Sequence, residues 1–303
     1  MIFSERLAKG PVVFDGAMGT QIQELEISAA EWDGREGCSE VLNLTAPEKI
    51  TEIHRRYLTA GADVVETNSF GGNLIVLSEY DLADKIIEIN RIAAELAKKA
   101  ADEYSSEDKP RYVAGSMGPG TRLPSLGQIG FDELYDSYRL QARGLIQGGA
   151  DLLIIETCQD LLQIKAALIA ALDERKELAA ETPVGVSVTV ETTGTLLIGS
   201  SIGAVITALA PFPIAFLGLN CATGPERMHA YVKEASDRFD GPVFVMPNAG
   251  MPENRDGQTV YTLEPADFVK PLTSMIESDG AAIVGGCCGT GPEHTQALAK
   301  LAS

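Results

Sequence analysis

Eight short runs rich in Val, Ile, Leu and Phe punctuate the chain: PVVFD at 11–15, ADVVETN at 62–68, RYVAGS at 111–116, DLLIIET at 151–157, PVGVSVTV at 183–190, IAFLGLNC at 214–221, PVFVMPN at 242–248 and AAIVGG at 281–286. Most are almost continuously apolar rather than alternating, the pattern of parallel strands covered on both faces. Between them the periodicity changes to that of helices. Pro47 opens PEKITEIHRRYLTAG and Gly61 closes it, the expected start and stop residues. Residues 81–104 carry acids early and lysines late, which suits the helix dipole. Five further segments, beginning at FDELYDSY, DLLQIKAA, GPERMHAY, EPADFVKP and GPEHTQAL, repeat the theme; Pro271 in the fourth is expected to kink its helix or sit in the first turns.

Eight strands alternating with helices, with no linker or break in composition, predict an α/β fold. The expected form is a closed (β/α)₈ TIM barrel forming a single domain over 1–303, preferred to an open doubly wound sheet. Polar or glycine-rich residues follow nearly every strand, and in a barrel those ends converge on one mouth. The connection 16–46, with the lone Trp32, is long for a strand-to-helix loop and is expected to fold over or beside that mouth. Residues 189–201 read as a second elaborated loop.

Charge narrows the function classes. Lys and Arg number 24 against 43 Asp and Glu, a formal charge of −19, which disfavours nucleic acid and anionic membrane surfaces as partners. The longest strongly apolar stretch, AVITALAPFPIAFLGL, contains two prolines and falls short of a membrane span. MIFSERLAKG is too short and too quickly charged for a secretion signal, so a soluble cytoplasmic chain is expected. No GxGxxG follows the first strand and no GxxxxGK[ST] occurs, so the usual nucleotide signals are missing. GSMGPG at 115–120 reads as close backbone packing around a ligand.

The cysteines carry more information by position than by number. Cys221 closes the sixth run, and Cys287 and Cys288 follow the eighth through two glycines, so a barrel would bring all three to its mouth. Three thiolates there suit Zn²⁺ with one position left open, and Gly285, Gly286 and Gly289 let the backbone wrap an ion. The competing readings are ordinary buried cysteines, preferred for Cys38 and Cys158, and a vicinal disulfide switch at Cys287 and Cys288. His54 and His229 fall in surface-helix patterns and His294 in the last helix; each reads as a polar helix residue rather than a ligand. A zinc ion with three thiolates has net charge −1 and is a weak Lewis acid, so hydrolysis is less natural than activation of a substrate thiol as fourth ligand. Such a thiol, with an ordinary pKa near 8.5, would lose its proton on binding and become a nucleophile toward an alkyl group.

The motifs DGAMGT at 15–20, ETNSFGG at 66–72, GSMGPG, ETCQD at 156–160, GLNC at 218–221, PNAG at 247–250 and GGCCGT at 285–290 run from the first strand to the last. With them the chain resembles the homocysteine S-methyltransferase family, most closely the homocysteine-binding domain of cobalamin-dependent methionine synthases. The resemblance implies a (β/α)₈ barrel with catalytic zinc on Cys221, Cys287 and Cys288. It further implies that Asp15, with the backbone of Gly16 and Ala17, belongs to the pocket for the amino-acid end of L-homocysteine. Glu156 would pair with the substrate ammonium. Asn248 would approach zinc when homocysteine is absent, and Asn68, Ser69 and Phe70 would line the mouth. Asp160 is better explained as a helix N-terminal residue than as catalytic, and Asp15 also fits a loop cap. Thr20, Thr67 and Thr157 could either bind substrate or satisfy loop backbone groups.

The implied reaction is methyl transfer to the homocysteine thiol, forming methionine. Methylcobalamin is the expected donor, on a corrinoid protein or on downstream folate and cobalamin domains. S-methylmethionine or S-adenosylmethionine is the alternative, as is a non-catalytic module that presents zinc or a thiol to a partner; a cysteine-based redox protein is a third reading.

Overall fold

A computed structural model describes residues 1–255 and 258–302. Asp256 and Gly257, which belong to the stretch after PNAG, and Ser303 lie outside the described residues. Each apolar run supplies one strand: β1 (Val12–Val13), β2 (Val64–Glu66), β3 (Tyr112–Met117), β4 (Leu152–Cys158), β5 (Val184–Val188), β6 (Leu217–Asn220), β7 (Val243–Met246) and β8 (Ala281–Val284). All are parallel, and each from β2 to β7 pairs with its neighbour in sequence. β8 lies between β7 and β1, with Val12 opposite Ile283. The ring closes at β1 and β2 through the parallel bridge of Phe14 to Val64 and the 2.7 Å bond from Asp63 N–H to the Val13 carbonyl. The expected (β/α)₈ barrel is therefore the observed one.

Alternation along each strand explains why the runs look continuously apolar. Val12, Phe14, Val64, Tyr112, Ala114, Leu152, Ile154, Phe216, Phe244, Met246 and Ile283 fill the barrel interior. Val13, Val65, Val113, Leu153, Ile155, Val243, Val245 and Val284 point outward under the helices. Phe216 stacks on Phe244 with centroids 5.4 Å apart. A Cβ on Gly185 would lie 2.0 Å from the Phe216 ring, so only glycine leaves that ring its place. A short helix, Phe3–Leu7, closes the N-terminal end and sets Phe3 edge-on to Tyr112 at 5.7 Å.

The connection 16–46 holds the helices Met18–Glu24, Ala29–Trp32 and Leu42–Thr45 with a 3₁₀ turn, Ser39–Val41. Residues 81–104 divide into a 3₁₀ turn, Ala83–Lys85, and the helix Ile86–Tyr104. Pro271 sits in the interior of the helix Pro265–Asp279, not in its first turn. Elements not anticipated include the helices Leu74–Ser78 and Ile202–Leu209 and an antiparallel hairpin of Glu253–Arg255 with Gln258–Val260.

The surface placement expected for His54 is wrong. In the helix Pro47–Ala60 it is fully buried. Its position explains this: 50, 53, 54, 57 and 58 are spaced as one helical stripe, so His54 shares the buried face of Ile50, Ile53, Tyr57 and Leu58. Among the described residues no helix is long and apolar enough to cross a membrane.

Candidate functional site

Cys221 follows β6 directly, and its N–H donates to the Met246 carbonyl of β7 at 3.0 Å. The backbone is left-handed at Cys221 (φ 64°) and Ala222 (φ 56°); for non-glycine residues that costs on the order of 1–2 kcal/mol each and is typical of strain held at functional sites. Beyond β8, Gly286 N–H bonds the Asp15 carbonyl at 3.0 Å, Cys287 N–H bonds Pro247 at 2.8 Å, and the Cys288 carbonyl accepts from Ala249 N–H at 2.9 Å. The ends of the two neighbouring strands, β1 and β7, thus pin the cysteine pair.

The sulfurs of Cys221, Cys287 and Cys288 all lie within 4.8 Å of one another, with Cys221 to Cys288 at 3.8 Å and Cys287 to Cys288 at 4.0 Å. A tetrahedral zinc with sulfur at 2.3 Å needs sulfurs about 3.8 Å apart, so the spacing fits such an ion. Thiol hydrogen bonds from Cys221 and Cys287 pull the Cys288 pKa down to about 3. The same sharing with Cys221 and Cys288 pushes Cys287 well up. Cys38 and Cys158 are buried elsewhere, as expected.

Beside the thiols stands a group of carboxylates, Asp15 and Glu156 buried and Glu66 half-buried. Glu156, on β4, is 7 % exposed; it accepts from the Ser116 hydroxyl, and Asn220 Nδ2 reaches it at 3.4 Å. Asn220 is oriented by its own oxygen, which accepts from Thr157 N–H at 3.0 Å and from the Ser187 hydroxyl at 2.7 Å. Its Nδ2 therefore faces Glu156, Thr157 Oγ1 at 2.7 Å and Cys287 Sγ at 3.9 Å. Asp15 Oδ2 accepts from Glu66 N–H at 2.9 Å, while Asp15 Oδ1 and Glu66 Oε1 are buried without a hydrogen-bond partner. Burial raises Glu156 to about 7. Burial, reinforced by the charges of the neighbouring acids, raises Asp15 and Glu66 well above the ordinary carboxylate range. These acids lack a cationic partner among the described residues.

Thiols and carboxylates share a cavity of about 670 Å³ at the C-terminal mouth. Gly16, Ala17, Asn68, Ser69, Phe70, Glu156 and the three cysteines line it. Asp15 and Asn248 do not; both are almost fully buried behind the wall. Asn248 lies between Pro247 and Ala249, the two residues bonded to the cysteine pair, and its Oδ1 has no partner. Asn68 donates to Ser39 O at 2.8 Å and so braces the connection 16–46, whose first helix lines the cavity. Ser69 donates to Ser116 O at 2.8 Å. Phe70 is 41 % exposed, and its ring lies 2.6 Å from where a Cβ on Gly118 would be, so GSMGPG packs against Phe70 while its Ser116 lines the cavity.

The threonines serve backbone and amide groups: Thr20 Oγ1 accepts from Gly289 N–H, Thr67 Oγ1 from Ser116 N–H, and Thr157 Oγ1 from Asn220. Asp160 caps the helix Leu161–Glu177 through Leu162 N–H at 2.8 Å. Sequence reasoning missed Glu66, Asn220, Ser116 and Tyr261. The first three stand inside the motifs ETNSFGG, GLNC and GSMGPG, whereas Tyr261 had no signal of its own.

The family model for homocysteine S-methyltransferase matches residues 12–302. This chain belongs to the homocysteine S-methyltransferase family. Other members include the methionine synthases of Mycobacterium leprae (strain TN), 47 % identical over 295 residues, and of Mycobacterium tuberculosis (strain ATCC 25618 / H37Rv), 46 % identical over 293. Each match covers 97 % of this chain but only 24 % and 25 % of those proteins, so the chain spans about a quarter of their length. Among solved structures, the metallated form of the homocysteine methyltransferase MmuM from Escherichia coli shares the fold with a TM-score of 0.76 and 24 % identity, covering 96 % of both chains.

Proposed function

We propose that this family member transfers a methyl group to the thiol of L-homocysteine, forming methionine, with Zn²⁺ held by Cys221, Cys287 and Cys288. The observation that carries the reading is one cavity holding three sulfurs at tetrahedral spacing beside buried acids without a cation. Homocysteine has the matching pair of groups, a thiol and an ammonium. Zinc, when bound, supplies deprotonation of the substrate thiol.

The chain's own residues do the rest. Glu156 receives the ammonium, with the free oxygens of Asp15 and Glu66 behind it, and the backbone of Gly16 and Ala17 flanks the amino-acid end. Asn248, whose Oδ1 lacks a partner next to the cysteine pair, serves as the stand-in ligand when homocysteine is absent. The fixed thiol and ammonium anchors align sulfur with the incoming methyl, so positioning is the barrel's main contribution.

Two donor readings have separate support. A small sulfonium donor, S-methylmethionine or S-adenosylmethionine, is favoured because this chain spans 96 % of MmuM, a protein named as a homocysteine methyltransferase. Methylcobalamin presented by a further segment or a corrinoid protein draws on the higher identity to the methionine synthases. The test is zinc content together with methyl transfer to L-homocysteine from each donor in turn. We expect close to one zinc per chain and methionine from at least one donor, with zinc-edge spectroscopy counting a fourth sulfur when homocysteine is added. Zinc binding without transfer from any donor would make the chain a thiol-presenting module, and reversible thiol oxidation without metal would make it a redox protein.

A further inference from the structure

We propose that Asn220 is a positioning residue that sets which amino thiol the cavity accepts. Its amide bridges Glu156 to Cys287 and so fixes the separation between the ammonium end and the sulfur end of the site. That separation selects homocysteine over cysteine, its homologue shorter by a methylene. The inference rests on the zinc and homocysteine reading above. A ligand held at both ends reports the distance between its anchors, and the discrimination is only as sharp as that distance is rigid. An anchor free to move would follow the shorter molecule.

The anchors stand on separate elements. Glu156 belongs to β4, Cys287 follows β8, and Asn220 ends β6. β5 lies between β4 and β6, so Asn220 has to reach across a strand to meet Glu156. It does so in steps. Its Oδ1 accepts from the Ser187 hydroxyl of β5 at 2.7 Å and from Thr157 N–H at 3.0 Å. Its Nδ2 then faces Thr157 Oγ1 at 2.7 Å, Glu156 Oε2 at 3.4 Å and Cys287 Sγ at 3.9 Å. A backbone N–H can only donate, so the bond from Thr157 settles which end of the amide is oxygen. The nitrogen is therefore the end turned to the carboxylate and the sulfur. Asn220 is 1 % exposed, and its carbonyl accepts from the Thr189 hydroxyl at 3.1 Å, which fastens the backbone as well.

Glu156 needs such a brace because its strand is irregular at that point. The pairing of β4 with β5 shifts register between Ile155 and Cys158, and Thr157 is left-handed with φ 59°. An irregularity of this kind re-aims the side chains around it, and Glu156 and Thr157 both line the cavity. A left-handed threonine is disfavoured and persists only where its surroundings over-determine it. Asn220 grips Thr157 on both sides, accepting from its N–H and donating to its Oγ1. The Ser116 hydroxyl holds the other oxygen of Glu156. A substrate ammonium thus meets a carboxylate whose place is fixed relative to the sulfurs.

The experiment measures binding of L-homocysteine and of L-cysteine to the zinc-loaded full chain by calorimetry, in wild type, Asn220→Ala and Asn220→Asp. Zinc content and circular dichroism are read on the same samples. Asn220→Asp keeps the two accepted bonds and loses the donated ones, so it decides the case if the alanine variant does not fold. Its added charge acts on either amino thiol alike and cancels in their ratio. Wild type should prefer homocysteine, and that preference should fall about tenfold in either variant, the effect of releasing one hydrogen bond to a charged group. In Asn220→Ala the fall should come from homocysteine alone, because cysteine already engages a single end. In a Glu156→Gln background Asn220→Ala should cost no further homocysteine affinity, since the brace has nothing left to hold. Equal losses for both amino thiols, an undiminished preference, or full additivity with Glu156→Gln would overturn the proposal. So would loss of zinc from both variants, because Asn220 would then serve the metal site and not the spacing. Wild type that takes up no zinc or binds no homocysteine sinks the functional reading instead, which the wild-type sample reports on its own.

Discussion

The two ends of the barrel treat buried charge in opposite ways. At the N-terminal floor, Asp63 Oδ2 accepts from Arg6 at 2.8 Å and from Val13 N–H at 3.1 Å, and its Oδ1 faces Arg111 at 3.5 Å. Arg111 also donates to the carbonyls of Gly61 and Ala62. At the mouth, Asp15, Glu66 and Glu156 cluster without a cation, two of their oxygens have no partner, and the backbone is left-handed at Thr157, Cys221 and Ala222. At the floor the charges answer one another, although Arg111 Nε is buried without an acceptor. The mouth is complete only with something added, and the kind of charge it lacks says what that something carries.

The contrast can be broken most forcefully from below. Asp63→Ala should destabilise the protein by about 3–5 kcal/mol, because it leaves Arg111 buried without its anion; chemical denaturation measures this, and the folded fraction should keep its affinity for homocysteine. Glu156→Gln is the converse. It should weaken homocysteine binding by about 1.5–3 kcal/mol, or one to two decades, with zinc content unchanged, as calorimetry on the zinc-loaded protein would report. Unaltered binding would move Glu156 to a structural role.

The same variant should gain stability without ligand at neutral pH. A carboxyl raised to about 7 in the fold, against an ordinary 4.5, contributes stability below pH 4.5 that is lost as pH rises through 7. His54 has the opposite slope. Burial lowers it to about 4 from 6.5, so the unfolded chain takes up a proton that the fold refuses, and stability falls as pH drops from 6.5 toward 4. The slope is at most about 1.4 kcal/mol per pH unit. His54→Phe should flatten it, as urea melts across that window would show. The smallest effect is expected for Glu66→Gln, which should raise the melting temperature modestly at pH 8 by removing an acid held well above its ordinary range.

The barrel was legible because all eight strands are sealed on both faces, which writes an unbroken apolar run for each. Cys221, Cys287 and Cys288 were legible because every one closes such a run. The helix Ile202–Leu209 was hidden for the same reason: its apolar residues merge with the next strand, and no polar boundary separates them. Glu66 looked like the end of a strand; its exposure to the cavity depends on the neighbouring loops, which periodicity does not describe. Tyr261 reaches the cavity through a hairpin and the bare face of Gly289, a placement that exists only in three dimensions. His54 was a misreading of a pattern that was present, since its spacing with Ile50 and Tyr57 marks a buried stripe.

The place of β8 between β7 and β1 has a consequence for how the protein comes into being. Ala17 N–H bonds Thr290 Oγ1 across 273 residues, and Gly289 N–H bonds Thr20 Oγ1 across 269. A chain emerging from the ribosome therefore makes Cys221 and every acid of the mouth long before the segment that joins them. Contacts this distant in sequence form late and slowly. Until the last strand arrives the nascent protein has only Cys221 of the three clustered thiols and no enclosed chamber, so synthesis that stops early leaves an inert fragment rather than a half-built catalyst.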